Sequence, residues 1–237
     1  MSNELTILTL TAASVGFVHT VLGPDHYLPF VVMARARNWS FTKTTWITIL
    51  CGIGHVGSSV ILGFIGIALG MALSKLSFIE SFRGNLAGWA LIAFGLVYAV
   101  WGFRRAYKKH PHTHTHLIGP HAGITHLHDH DKAHSHDHSE VEKVNITPWI
   151  LFTVFVLGPC EPLIPILMYP AAHSSALAVA LVAGVFSIIT ITTMVTVVTV
   201  SSLGIKLLPL KKLERYTHAI AGLTIAVCGI AIQFLGL

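Results

Sequence analysis

Phe17-Val18-His19-Thr20-Val21-Leu22-Gly23-Pro24-Asp25-His26-Tyr27-Leu28-Pro29-Phe30 is the stretch that decides how the chain is read. It sets a carboxylate and two imidazoles inside a segment that otherwise reads as membrane-spanning. An Asp at the centre of a spanning helix costs about 2.5 to 3.5 kcal/mol on insertion scales, so Asp25 needs a compensating role. Proline lacks the amide hydrogen and clashes with the preceding turn, so Gly23-Pro24 predicts a kink or an unwound segment. His19 and His26 would lie about 10.5 Å apart along an intact helix, too far to share an ion. Unwinding lets them converge. Their N and O donors suit borderline transition metals such as Ni, Co or Zn better than Mg or Ca. Broken helices with polar groups near the midplane are a common build for transporter binding sites. The alternatives are a buried polar network that fixes helix packing and a proton relay.

Composition sets the class around this motif. The 237 residues are 53% apolar and only 11% charged, against about 25% charged in soluble domains, and long uncharged runs predict an integral membrane protein. The formal charge of +5 therefore reflects short basic loops and implies no nucleic-acid partner; the bilayer is the expected surroundings. Met1 to Ala13 lacks a basic leader region, so no cleavable signal is expected. Cys51, Cys160 and Cys228 all fall in apolar segments and imply no disulfide framework.

Six spans are predicted, at about 13–34, 44–73, 86–103, 148–170, 176–203 and 217–237. Lys75, Glu80 and Arg83 are placed in the loop after the second span. Thirteen of the 15 Lys and Arg fall in three loops on one side. The positive-inside rule then puts both termini outside and the long polar loop in the cytoplasm, in a bacterial inner (plasma) membrane. Gly158-Pro159-Cys160-Glu161-Pro162-Leu163-Ile164-Pro165 resembles Gly23-Pro24-Asp25-His26-Tyr27-Leu28-Pro29 at an offset of 135 residues. The fold class expected is thus an all-α polytopic membrane protein of two inverted three-helix repeats, with helices 1 and 4 broken. The division is 1–103, a His-rich loop at 104–147, and 148–237. An odd number of helices per half forces the second half to be inverted.

Further polar residues gather around the breaks. Cys51, His55, Ser58 and Ser59 share one helical face, and His55 is a candidate further ligand or an interhelical hydrogen-bonding group. Glu161 is an intramembrane carboxylate opposite the first motif in the repeat, either functional or a stabiliser of its break. Cys160 is equally a soft ligand or a packing residue. Thr192, Thr196 and Thr199 line one face and either wet a path or bond their own helix carbonyls. Eleven of the 16 histidines lie between His110 and His138, a composition that binds metals and buries nothing apolar. No Walker loop, nucleophile triad or HExxH occurs, so neither an enzyme nor an organic cofactor is expected.

These residues resemble two families. His19…Gly23-Pro24-Asp25-His26, Gly54-His55-Val56-Gly57-Ser58-Ser59 and the His-rich loop are similar to nickel/cobalt transporters and the urease-accessory UreH-like membrane proteins of the LysE-type superfamily. That resemblance implies a permease for a divalent transition-metal ion as substrate. His19, Asp25, His26, His55, Glu161 and Cys160 would form its site, the loop would load the ion, and a soluble metallochaperone would be a partner. The spacing departs from the pattern: His-x5-Asp-His is one residue longer than in the nickel uptake permeases, and six spans replace eight. Gly158-Pro159-Cys160-Glu161-Pro162-Leu163-Ile164-Pro165 resembles instead the Pro-Cys motif of membrane electron carriers for cytochrome c maturation. It implies the alternative, a transmembrane thiol-disulfide carrier using Cys160 and Cys51.

Overall fold

Each long apolar run of the sequence becomes a helix in the computed structural model, which describes residues 3–108, 112–115, 125–128, 146–173, 176–207 and 211–235. In order these are α1 (Asn3–Leu22), α2 (Leu28–Ala36), α3 (Phe41–Ala68), α4 (Leu73–Lys108), α5 (Thr147–Leu157), α6 (Leu163–His173), α7 (Ala176–Leu207) and α8 (Thr217–Leu235). Five helices are long and apolar enough to cross a membrane, and α5 is a shorter apolar one. Large apolar side chains such as Phe78, Leu177 and Val97 stand exposed on the outside, which water would disfavour and lipid tails accept. The chain is a multi-pass, helical membrane protein.

Local chemistry fixes the ends of these helices. Ser40 caps α3 by accepting a hydrogen bond from the Lys43 amide at 3.2 Å. At the far end Gly70 takes a positive φ of 63°, and Met71 donates back to the Gly66 carbonyl. This closure needs the left-handed conformation that glycine adopts without strain. Asn38, at φ 49°, ends α2 in the same way, with Trp39 donating to Ala34. Asparagine is one of the few other residues that tolerates this region.

The breaks fall where the sequence places them: the first span divides into α1 and α2 and the fourth into α5 and α6, because each Gly-Pro pair interrupts the helical ladder. Two boundaries differ from the sequence reading. The first span, expected to start at about residue 13, begins at Asn3 with α1. The third span begins at Leu73, so Glu80 and Arg83 lie inside α4. Their charges pair across one helical turn, Arg83 Nη1 donating to Glu80 Oε1 at 2.6 Å, and so become tolerable at depth.

The helices α4 and α8 pack along much of their length. Small residues make this possible: a Cβ on Gly95 would strike the backbone of Gly222 and Ala226, and one on Gly222 would strike Ala99. α1 packs on α7, α5 on α3, and α3 on α7, while α2 and α6 contact α8 and α4 respectively. Most of the His-rich segment lies outside the described residues. Two short strands within it, His112–Thr115 and Thr125–His128, pair antiparallel, where the sequence reading expected no fold.

Candidate functional site

The first break is built by Gly23 and Pro24. α1 ends at Leu22, Gly23 is extended, and Pro24–His26 form a single 3-10 turn before α2 starts at Leu28. Proline at the start of this turn gives up no hydrogen bond, since that amide would be unpaired anyway. A side chain at Gly23 would collide with the His26 ring, so the residue must be glycine for the turn to fold onto itself. The result swings His26 back over α1. The His19 and His26 rings meet edge to face with centroids 4.7 Å apart, where an intact helix would separate them by two turns.

His26 is buried and fully engaged. Its Nδ1 lies 3.1 Å from both Asp25 Oδ1 and the Gly23 carbonyl oxygen. Its Nε2 lies 3.3 Å from Nε2 of His55, which projects from α3. His55 packs edge-on to Phe155, with ring centroids 6.1 Å apart. His19 Nε2 is buried without a hydrogen-bond partner. Donor atoms of His19, His26 and His55 all fall within 4.8 Å of one another, the arrangement among the described residues able to hold a metal ion. Asp25 stands behind His26 as its hydrogen-bond partner. The sequence-predicted residues His19, Asp25, His26 and His55 are therefore brought together. They line a cavity of about 480 Å³ whose far wall includes Glu161 and Pro159. Glu161 itself is exposed and lies outside the three-imidazole group.

Cys160 is placed differently. It sits in the second break, fully buried, and belongs neither to the imidazole group nor to the cavity lining. Its amide donates to Ser59 Oγ at 3.2 Å. Ser59 in turn donates to Glu80 Oε2 at 3.1 Å. Arg83 closes the network, with Nη2 2.6 Å from Ser58 Oγ and 2.8 Å from the Val156 carbonyl oxygen. The helical donor of that carbonyl would be the Cys160 amide, which the break turns to Ser59 instead, and a guanidinium is the group able to satisfy the carbonyl while pairing with Glu80. Sequence reading missed Glu80 and Arg83. The available signal was their opposite charge at i, i+3 between two apolar runs.

The three thiols are free and buried, and none is near another. Cys51 and Ser59 are eight residues apart on α3, about 12 Å of rise. A Cys160 anchored at Ser59 is thus beyond the roughly 7 Å reach of a disulfide to Cys51. Of the threonines of α7, Thr192 and Thr196 are exposed, with Thr196 donating to the Thr192 carbonyl, and Thr199 lines a separate cavity of about 260 Å³ together with Ser202, Thr45 and Arg35.

The chain matches the family model described as cytochrome C biogenesis protein transmembrane region over residues 28–231. No curated protein and no solved structure is similar to the chain at a significant level. The family match overturns the nickel/cobalt transporter reading, including its implied ion transport, because that family is one of thiol-disulfide carriers. The transporter resemblance rested chiefly on one motif, and His19, Asp25 and His26 all precede the matched region. Cys51 and Cys160 both lie within it.

Proposed function

Because the chain belongs to the family of cytochrome c biogenesis protein transmembrane regions, we propose that it passes reducing equivalents across the membrane by thiol-disulfide exchange, with Cys160 and Cys51 as the exchanging pair. The observation that carries this reading is the seat of Cys160 in a proline-broken helix, its amide held by Ser59 on the same helix as Cys51. In the forward step the two thiols give two electrons and two protons to a partner disulfide. The partner leaves as a dithiol, and a Cys51–Cys160 disulfide remains. A dithiol donor on the opposite side then reduces that disulfide. The pair forms only when the α5–α6 break travels about two turns along α3.

The same reading takes the protein as six spans in two inverted repeats, residues 1–103 and 148–237, set in the plasma membrane. Both breaks fall at the same place under the 135-residue offset, at Gly23-Pro24 and Gly158-Pro159. Exchanging α1, α2, α3 and α4 for α5, α6, α7 and α8 also maps several of the main helix contacts onto one another, though the α4–α5 contact has no α8–α1 counterpart of similar extent. The α1–α7 contact becomes α5–α3, α2–α8 becomes α6–α4, and α4–α8 becomes α8–α4. A carrier of this build could present one pair of thiols alternately to either side.

Mixed-disulfide capture tests the exchange. In a Cys51→Ser, Cys228→Ser protein, Cys160 has no internal thiol to resolve an attack. A soluble thiol carrier reduced to one cysteine and activated as its mixed disulfide with thionitrobenzoate should become covalently attached to Cys160 and release thionitrobenzoate, leaving no carrier thiol to reverse the step. Absence of that adduct, with the protein intact in the membrane, would reject Cys160 as the exchanging thiol.

A further inference from the structure

The imidazole group beside the first break takes no part in the thiol exchange, and its geometry points to a ligand of its own. We infer that His19, His26 and His55 hold one divalent first-row transition-metal ion, of the Zn²⁺ class, through three ring nitrogens. The inference concerns an ion held in place and is independent of the redox reading.

Distance is the first argument. Two ligands on a tetrahedral ion with metal–nitrogen bonds of about 2.0–2.1 Å are separated by about 3.3–3.4 Å. His26 Nε2 and His55 Nε2 are 3.3 Å apart. The third nitrogen lies within 4.8 Å of both, so closing the site asks for a shift of a little over an ångström or a rotation of the His19 ring. Orientation is the second argument. His26 Nδ1 faces the Asp25 carboxylate and the Gly23 carbonyl, which fixes Nδ1 as the protonated nitrogen and turns Nε2, with its lone pair, toward His55. A carboxylate behind a ligating imidazole is the usual outer support of a metal site. His55 is steadied from behind by the edge-on ring of Phe155, with centroids 6.1 Å apart.

The third argument is the orphan. His19 Nε2 is buried with no hydrogen-bond partner, and a buried polar atom of this kind costs about 1–3 kcal/mol unless something binds it. An ion in the group supplies that partner. The three donors also leave one tetrahedral position, and the cavity shared with Glu161 borders it. Nitrogen donors select zinc, copper, cobalt or nickel over magnesium and calcium. The competing account is a simple hydrogen bond between neutral His26 and His55 with no ion.

The test uses full-length protein in detergent, stripped of metal and then titrated with Co²⁺ as an optical probe and Zn²⁺ as competitor. The His-rich loop contributes weak sites, so the quantity read is the number of ions that survive a moderate chelator. Wild type should retain one ion per chain, with the intense visible bands of four-coordinate cobalt. His55→Ala should retain none. A variant with the histidines of 110–138 changed to Ser should still retain one. Asp25→Asn should weaken binding about 10- to 100-fold with the same bands. If His55→Ala fails to fold, His55→Cys decides instead, since it should keep the ion and shift the bands toward sulfur ligation. No retained ion in wild type, or an ion lost with the loop histidines and kept in His55→Ala, would overturn the site.

Discussion

The amide nitrogen of Cys160 lies 3.2 Å from Ser59 Oγ, so one hydroxyl on α3 fixes the position of the thiol in the second break. Ser59 is fully buried and also donates to Glu80, which makes it the joint between the break and the ion pair. Changing Ser59 to Ala should leave the Cys160 amide and a Glu80 oxygen short of a partner, at a cost of about 1–3 kcal/mol each. A lower melting temperature in detergent, with faster alkylation of Cys160 than in wild type, is the expected result. Unchanged alkylation would mean that Ser59 does not hold the break.

Arg83 has the larger task. Glu80 is 1% exposed, and Arg83 pairs with it while satisfying the Val156 carbonyl. Arg83→Met should cost about 3–5 kcal/mol, because it abandons a buried carboxylate. Glu80→Gln combined with Arg83→Met should recover part of that loss. Thermal melts of the two variants, compared with wild type, measure the difference. Equal melting points for Arg83→Met and wild type would remove the network from the account of stability.

The α4–α8 contact sets a third expectation. Gly95 and Gly222 face each other's helices so closely that any Cβ meets backbone, which cannot move aside as a side chain can. Gly95→Val should therefore prevent stable assembly of the bundle, whereas Gly184→Ala on α7, where nothing lies within 4 Å of the added carbon, should be tolerated. Yield of monodisperse protein after membrane extraction distinguishes the two.

Much of this arrangement was legible in residue order. Gly23-Pro24 and Gly158-Pro159 announced both breaks, because proline's missing amide acts locally and needs no tertiary context. The convergence of His19, Asp25, His26 and His55 followed from the same break. The extent of α4 was not legible. Glu80 and Arg83 look like loop residues to any count of charge along the chain, and only their pairing across a turn, with Ser58 and Ser59 opposite, lets them sit within a helix. The function was misjudged for a related reason. The His motif carries strong chemistry in a few residues and drew the reading toward nickel and cobalt, while the family likeness is spread over residues 28–231. Cys160 was legible as a soft ligand, a packing residue or, by its Pro-Cys motif, an exchanging thiol, and a lone cysteine in a broken apolar run does not itself decide among these.

Cys228 supplies an internal control for the redox account. It is buried in α8, which packs on α4 and also meets the first break at Pro24–His26, whereas the exchanging pair is placed on α3 and in the second break, so Cys228→Ser should leave thiol exchange within about twofold of wild type, by the usual small effect of a near-isosteric change. Loss of exchange in that variant would assign the second thiol to α8 instead of α3.

The central claim is that Cys51 and Cys160 form a reversible pair although they are apart in the reduced state. Cys228→Ser protein in native membranes should be equilibrated with oxidised and reduced thiol buffers, quenched in acid, and mass-mapped for a Cys51–Cys160 peptide. The account predicts a disulfide that appears under oxidising buffer, disappears under reducing buffer, and is absent in Cys51→Ser. Two thiols that stay free at every potential, in protein that still supports thiol transfer across the membrane, would contradict it.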